Sequence, residues 1–343
     1  MPRGPVKGKK TSKFSLKQLA EHLDLAPATV SLVLNGSPVA NTIAPETRGR
    51  IREAARKFNY RPNFLARCLR TQRTFTVGVI VPEVSEGYNA TVLSGIEDDL
   101  LGQGYFYLVA SHHFRPDLID EYIELFLNRS VDGLIVVNTP WNRPLEVPVV
   151  TISCHHAVPG TTSIVLDHRR AASVALKHLS QLGHRKIAFI KGQSFVPDTE
   201  VRWHAIMEAA IELRLEIDPG LVMQIEGDSP KSDLGYKVTQ KLLASKHEFT
   251  AVFAFNDISA IGAMRAIHER GMRVPEDISV IGFDDIDSAS YQNPGLTTVR
   301  QPLRKMGTMA AEAVLHRIAN VGTVHPKAVV EPELIIRGTT SVA

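Results

Sequence analysis

Cysteine is scarce: Cys68 and Cys154 are the only two in 343 residues, they stand far apart, and neither has metal-ligand spacing. A disulfide framework and a structural zinc site have no support, and two reduced thiols are expected. Long hydrophobic runs are missing too. No stretch approaches the roughly 20 apolar residues of a membrane span, and the basic start, Met1 to Lys13, has no apolar run behind it to make a signal peptide. The expectation is a cytoplasmic protein without a membrane partner. Signatures of chemistry are also lacking: no Gly-x-Gly-x-x-Gly or Walker pattern follows an apolar run, and neither a Gly-x-Ser-x-Gly elbow nor His-Glu-x-x-His occurs. No cofactor and no catalytic set are expected.

What is present is enough for two or three domains, since 343 residues with 44% apolar and 22% charged exceed what one hydrophobic core normally organises. The net charge of +3 hides a division. Residues 1–73 hold 15 Lys and Arg against 4 Asp and Glu, a net of +11, leaving 24 against 32, a net of −8, for residues 74–343. A basic head on an acidic body suits a polyanion-binding module.

From Ser15 the apolar residues Leu16, Leu19, Ala20 and Leu23 fall at helical spacing, with Ser15 placed as N-cap. Asp24 marks a turn. A second helix starts near Pro27 and runs through Val30, Val33 and Leu34 to a stop at Asn35 and Gly36, and a third, Glu46 to Asn59, carries Ile51, Ala54, Ala55 and Phe58. Two short helices across a tight turn, with a third to close a mini-core, form a helix-turn-helix over residues 14–61. Its second helix would enter the major groove, presenting Pro27, Ala28 and Thr29 with Ser31 and Leu32 beside them. Arg48, Arg50, Arg52, Arg56 and Arg61 are available for phosphates.

The stretches Ser15-Leu-Lys-Gln-Leu-Ala, Ala28-Thr-Val-Ser-Leu-Val-Leu-Asn-Gly, Glu46-Thr-Arg and Asn59-Tyr-Arg-Pro-Asn together resemble the head of the lactose/galactose repressor family. The resemblance implies double-stranded operator DNA as partner, contacted by Ser15, Leu16, Pro27, Ala28, Thr29, Ser31, Leu32 and Asn35. It also implies a hinge over residues 62–73, in which Pro62 to Arg70, with Asn63, Leu65, Ala66, Leu69 and Arg70, becomes helical on DNA and Leu69 wedges into the minor groove. Three departures stand out: Asp24 where a turn glycine is usual, Ala26 where a serine cap is usual, and a longer loop from Val39 to Pro45. The readers Pro27, Ala28 and Leu32 cannot make bidentate base hydrogen bonds, but they can pack on thymine methyls.

Beyond Arg73, short apolar runs alternate with helical patterns: Val77-Gly-Val-Ile-Val-Pro, Phe106-Tyr-Leu-Val-Ala, Val131-Asp-Gly-Leu-Ile-Val-Val, Val149-Val-Thr-Ile, Lys186-Ile-Ala-Phe-Ile, Leu221-Val-Met-Gln-Ile, Ala251-Val-Phe-Ala-Phe and Ser279-Val-Ile-Gly-Phe. Such runs are buried parallel strands, and with helices between them they imply doubly wound α/β units whose ligands bind at the strands' carboxyl ends. The family resemblance continues through Leu182-Gly-His-Arg-Lys-Ile-Ala, Phe255-Asn-Asp, Val274-Pro-Glu-Asp-Ile-Ser-Val-Ile-Gly-Phe-Asp-Asp and Leu296-Thr-Thr-Val-Arg-Gln-Pro. It implies a small all-α head, preceded by a basic tail at 1–13, and a periplasmic-binding-protein-like body over 74–343 with doubly wound parallel sheets in two lobes. Crossings are expected near 164–168, 290–296 and 320–325, giving lobe one 74–164 and 296–322, and lobe two 168–290 and 325–340.

Asp257, at the end of the run Ala251 to Phe255, and Arg202, expected to open a helix after the loop Gly192 to Asp198, match polar positions of the family's effector cleft, and Tyr88, His155, Asp167 and Asp198 complete the expected set. A carboxylate and a guanidinium facing one cleft suit hydroxyl-rich ligands, which favours a carbohydrate effector. Asp257 and Asp167 also have a plainer reading as helix caps, and Arg202 as a surface arginine. The pairs His112-His113 and His155-His156 are adjacent in sequence and face opposite ways on a strand, so neither makes a metal site. The resemblance implies a homodimeric regulator, usually a repressor, controlled by a small-molecule effector. With no heptad tail after the last expected strand, Pro332 to Gly338, a tetramer by coiled coil is not expected. A sugar-processing enzyme would have to turn its ligand over, and a transport-type binding protein would leave residues 15–70 without a purpose.

Overall fold

The computed structural model describes residues 14–61, 68–69, 71–85, 87–227, 232–320 and 326–343. The chain divides into two compact units, Met1–Arg73 and Thr74–Ala343.

In the first unit, α1 (Leu16–Leu23), α2 (Pro27–Leu34), a 3-10 turn (Pro38–Thr42) and α3 (Pro45–Lys57) surround one small core. Ser15 starts α1 by a capping box: its hydroxyl accepts from the Gln18 N–H at 3.2 Å, and the Gln18 side chain accepts from the Ser15 N–H at 2.8 Å. Asp24 ends α1 in the left-handed conformation, φ 53 and ψ 47, where a glycine would be unstrained. Ala26 gives α2 no side-chain cap, leaving the Pro27 ring to set the first turn. Leu19, Val30 and Ile51 are wholly buried between the helices, and Phe14 stacks on Phe58 with ring centres 4.3 Å apart. The extra loop is folded rather than loose, since Ala40 of the 3-10 turn enters the core. The expected hinge contacts Asn63 and Arg70, with Leu65, Ala66 and the tail 1–13, lie outside the described residues. Leu69 is described; it is helical and 84% exposed.

The second unit contains β1 (Thr76–Val81), α4 (Gly87–Gly102), β2 (Phe106–Ser111), α5 (Pro116–Asn128), β3 (Gly133–Val137), β4 (Val149–Ile152), β5 (Thr161–Leu166), α6 (His168–Gln181), β6 (Ile187–Lys191), α7 (Asp198–Glu212), β7 (Val222–Gln224), α8 (Ser232–Ala244), β8 (Ala251–Ala254), α9 (Asp257–Glu269), β9 (Ser279–Asp284), α10 (Asp287–Ser290), β10 (Thr297–Arg300), α11 (Leu303–Ala319), β11 (Lys327–Val330) and β12 (Glu333–Ile335). They build two six-stranded sheets. Lobe one has the order β11-β5-β4-β3-β1-β2 with every neighbouring pair parallel. Lobe two has the order β12-β10-β9-β8-β6-β7, parallel except for the antiparallel β10–β12 pair.

Every residue of β3, β4, β5, β8 and β9 is buried, as continuous Val and Ile runs covered by helices on both faces require. The edge strands β2, β7, β11 and β12 are only partly covered, and on β2 Phe106 is 60% exposed. Two of the expected crossings are corrected. The register Thr297↔Ile281 puts β10 in lobe two, and Lys327↔Ser163 puts β11 in lobe one. The chain therefore crosses between Leu166 and His168, between Arg300 and Leu303, and between Val330 and Glu333, rather than at 290–296 and 320–325. An apolar run does not say which of two similar sheets it joins, and register alone decides it. On lobe one, α4 and α11 approach so closely that a Cβ added at Gly95 would run into the Arg304 carbonyl oxygen, and one at Gly307 into that of Val92.

Candidate functional site

The carboxyl ends of the strands meet between the lobes, and there the backbone is strained. Non-glycine residues with positive φ follow β2 (His113, 48°, and Phe114, 58°), β3 (Asn138, 45°) and β4 (Ser153, 60°) and close β9 (Asp284, 113°, and Asp285, 57°). Such conformations cost on the order of 1–3 kcal/mol each and persist where the surroundings hold them, commonly at ligand sites.

Lobe two contributes a buried ionic cluster. Asp198 opens α7 and Arg202 lies one turn on, so the helix begins at Asp198 and not at Arg202. Arg202 is 3% exposed. Its guanidinium lies 3.7 Å from the centre of the Phe283 ring and 4.4 Å from that of Phe255, and it donates to the Phe255 carbonyl oxygen and, at 3.1 Å, to Asp198 Oδ2. The other oxygen of Asp198 lies 2.6 Å from His155 Nε2 and 3.4 Å from His168 Nε2. Burial pushes Asp198 up, but the charges and hydrogen bonds of His168, His155 and Arg202 outweigh it and hold the carboxyl well below its usual range. His168 is shifted down by burial against the pull of Asp198.

Asp284 is the counterpart. Burial raises its carboxyl to about 7, although Arg202 and the 2.7 Å hydrogen bond donated by Gln301 Nε2 pull the other way. A buried carboxyl so poised, on strained backbone, is a candidate binding position.

Lobe one faces this cluster with Tyr88, whose hydroxyl lies 2.8 Å from Ser153 Oγ. Burial, and after it the charge on Asp198, raises the Tyr88 phenol. Deeper in the lobe, His112 Nε2 lies 2.9 Å from Thr139 Oγ1, and burial lowers this imidazole to about 4. Phe114 of lobe one and Phe195 of lobe two touch with ring centres 5.0 Å apart.

Of the expected residues, the fold thus brings Tyr88, His155, Asp198 and Arg202 together. Asp167 does not join them: its side chain caps α6, accepting from the Arg170 N–H at 2.9 Å. Asp257 fits neither of its readings. The cap of α9 is Asn256, and Asp257 is fully buried, with Oδ2 accepting from the Ile286 N–H at 2.9 Å and Oδ1 from the Thr298 hydroxyl at 2.6 Å. It ties α9 to β10 inside lobe two. Burial and the neighbouring Asp284 raise it well above the usual carboxylate range. Sequence reasoning missed Ser153, His168, Phe255, Phe283, Asp284 and Gln301. The Gly-Phe-Asp-Asp end of β9 was the available signal for Asp284.

In the first unit, Pro27 and Ala28 are exposed at the start of α2, while Thr29 and Ser31 are half-buried. Asn35 donates to the Ser31 carbonyl at 2.8 Å and lies 3.0 Å from its hydroxyl. Leu16 and Leu32 are partly buried against the core. Arg48 and Arg50 are engaged with Asn41 Oδ1 and the Leu23 carbonyl oxygen, and Arg52, Arg56 and Arg61 are exposed.

Residues 15–63 match the family of bacterial regulatory proteins, lacI family, and residues 176–340 match the periplasmic binding protein-like domain. Over 333 residues the chain is 32% identical to the HTH-type transcriptional repressor PurR of Aliivibrio salmonicida, covering 94% of this chain and 98% of that protein. The chain belongs to the lacI family. It is a DNA-binding transcriptional regulator, and this family's proteins are regulators rather than enzymes. Among solved structures it is similar to the Lac repressor bound to ONPG in the repressed state, with TM-score 0.82 and 25% identity, and to the transcriptional regulator CelR in complex with cellobiose, with TM-score 0.70 and 28% identity. Each comparison covers 95% of this chain and 99% of the other. Among the described residues, no helix of this lacI-family chain is long and apolar enough to cross a membrane.

Proposed function

We propose that this lacI-family regulator acts as a homodimeric repressor whose hold on an operator is set by a carbohydrate effector in the interlobe cleft. The observation that carries the effector reading is the pairing of Arg202, fixed between two phenylalanine rings, with Asp284, a buried carboxyl raised to about 7 on backbone at φ 113. A guanidinium and a carboxylate can each bind paired hydroxyls, and flat apolar rings beside them suit the carbon faces of a sugar. Tyr88, Ser153, His155 and Asp198 complete this reading of the cleft. The cellobiose complex of CelR and the ONPG-bound Lac repressor, proteins of the same fold, support it.

On the DNA side, the reading rests on the +11 charge of residues 1–73 and on the exposed first turn of α2. Ser15, Leu16, Pro27, Ala28, Thr29, Ser31, Leu32 and Asn35 would contact the major groove, and Leu69, with Asn63 and Arg70, the minor groove. An effector that prefers one arrangement of the lobes shifts the population that binds DNA.

The test is a thermal-shift panel on the full chain with sugars, sugar phosphates and nucleobases, followed by operator gel shifts with each hit. A ligand at 100 times its Kd adds about 2.7 kcal/mol to stability. A stabilising sugar that alters operator affinity supports the proposal. Stabilisation by nucleobases alone overturns the carbohydrate assignment.

A further inference from the structure

We propose that His155, His168 and Asp198 form a divalent transition-metal site that ties lobe one to lobe two. Their donor atoms, His155 Nε2, His168 Nε2 and one Asp198 oxygen, all lie within 4.8 Å of one another. His155 comes from the β4–β5 connection of lobe one, while His168 opens α6 and Asp198 opens α7 in lobe two. The 3.4 Å between His168 Nε2 and Asp198 Oδ1 is close to the ligand-to-ligand distance, about 3.3 Å, of a tetrahedral ion with bonds near 2.0 Å. The 2.6 Å between His155 and the same oxygen needs only to widen by less than an ångström, a side-chain adjustment.

A second observation points to a missing partner. His168 is 4% exposed, yet its Nδ1 has no hydrogen-bond partner and its Nε2 has only the long 3.4 Å approach to Asp198, without hydrogen-bond geometry. Buried polar atoms are satisfied in the great majority of cases, and an imidazole aimed at a carboxylate and a second imidazole can be satisfied by a cation on which all three converge. The remaining Asp198 oxygen is held by Arg202, which orients the carboxylate as outer partners of metal ligands do. Two imidazoles and one carboxylate suit zinc, cobalt or nickel and not magnesium or calcium, which take oxygen donors. An access route exists: a groove of about 440 Å³ is lined by both histidines with Asp167 and Glu208 on its walls. Because its ligands come from both lobes, a bound ion favours the arrangement in which the lobes are together. The ion would share His155 and Asp198 with the effector reading, but the two fail separately, since the metal is read by binding without any organic ligand.

The test uses the full chain, stripped with a chelator and dialysed, then titrated with ZnCl2 by calorimetry and with CoCl2 by visible absorption. The expected result is one zinc per chain with micromolar Kd or tighter, a raised melting temperature, and intense cobalt bands of a four- or five-coordinate ion. His155→Ala and His168→Ala should each weaken zinc at least tenfold, and the double variant should lose the single equivalent, whereas exposed His156→Ala should bind as wild type. Should the double variant not fold, His155→Gln, which keeps a hydrogen bond to Asp198, must show the same tenfold loss. No zinc binding at 1 mM, a cobalt spectrum like that of the free aqueous ion, or undiminished affinity in the His155 and His168 variants overturns the site.

Discussion

The guanidinium of Arg202 lies 3.7 Å from the centre of the Phe283 ring, and the next residue, Asp284, turns its backbone to φ 113. One short stretch at the end of β9 thus fixes a cation and supplies a buried acid beside it. Lysine keeps the charge at position 202 but lacks the planar fork that reaches Phe255 and Asp198 together and stacks on both rings. Arg202→Lys is expected to weaken effector binding by roughly tenfold or more, about 1.5–3 kcal/mol. Effector-free operator binding should persist. Calorimetric titration with the ligand found in the thermal-shift panel checks this, and affinity within about twofold of wild type would remove Arg202 from the site.

Local signals were legible in the sequence and relationships between distant elements were not. The Ser15–Gln18 capping box joins residues three apart, so the start of α1 could be read directly. The strands of the body announced themselves as Val- and Ile-rich runs, yet which sheet β10 and β11 join depends on register against β9 and β5, some 15 to 160 residues away. Asp198 was visible as a polar residue near a helix start. Its partners His155 and His168 come from two other elements, and nothing local links them. Asp257 looked like a cleft residue because it follows a strand. Its side chain turns inward to Ile286 and Thr298, a choice made by packing alone.

Gly95 and Gly307 allow the backbones of α4 and α11 to touch, and this contact joins an early helix to one that arrives after the second crossing. Gly307→Ala should overpack it and cost about 1–3 kcal/mol. In a body of this size each kcal/mol lowers the melting temperature by about 2–4 °C. Gly102→Ala, at the open end of α4 with nothing within 4 Å of an added Cβ, should be neutral or slightly stabilising. Equal melting temperatures for the two variants would show that the helices do not depend on the close approach.

The charge of residues 1–73 and the exposure of Leu69 give two separable expectations for DNA. A dimer neutralising about 8 phosphates gives a slope near −7 for log affinity against log salt. Leu69→Ala should leave that slope unchanged while lowering affinity and bending, because an apolar wedge acts on base stacking rather than on phosphates. Gel shifts at several salt concentrations check both. A slope near zero contradicts the electrostatic reading, and unchanged bending in the Leu69 variant contradicts the wedge.

Asp284 makes the stability of the effector-free protein depend on pH, with a sign opposite to that of a salt-bridged carboxylate. Its folded-state pKa is raised from 3.8 to about 7. The folded protein therefore holds a proton that the unfolded chain has released, and stability falls as pH rises from about 4 to about 7. Three pKa units correspond to about 4 kcal/mol, a ceiling for what this one group removes by pH 8. Asp284→Asn keeps an oxygen for Gln301 to donate to and has no charge to bury. Near pH 4 and below, where the unfolded chain also holds the proton, variant and wild type should melt at similar temperatures, and at pH 5 the variant should already melt slightly higher. At pH 8 the variant should melt several degrees higher. The same substitution should weaken a hydroxyl-bearing effector, because the carboxylate that would accept from it is gone, so stability is gained where function is lost. Melting curves from pH 4 to 8 decide the matter: a constant difference between the two proteins, or a less stable variant at pH 8, would show that Asp284 is not a buried acid held ready for a ligand.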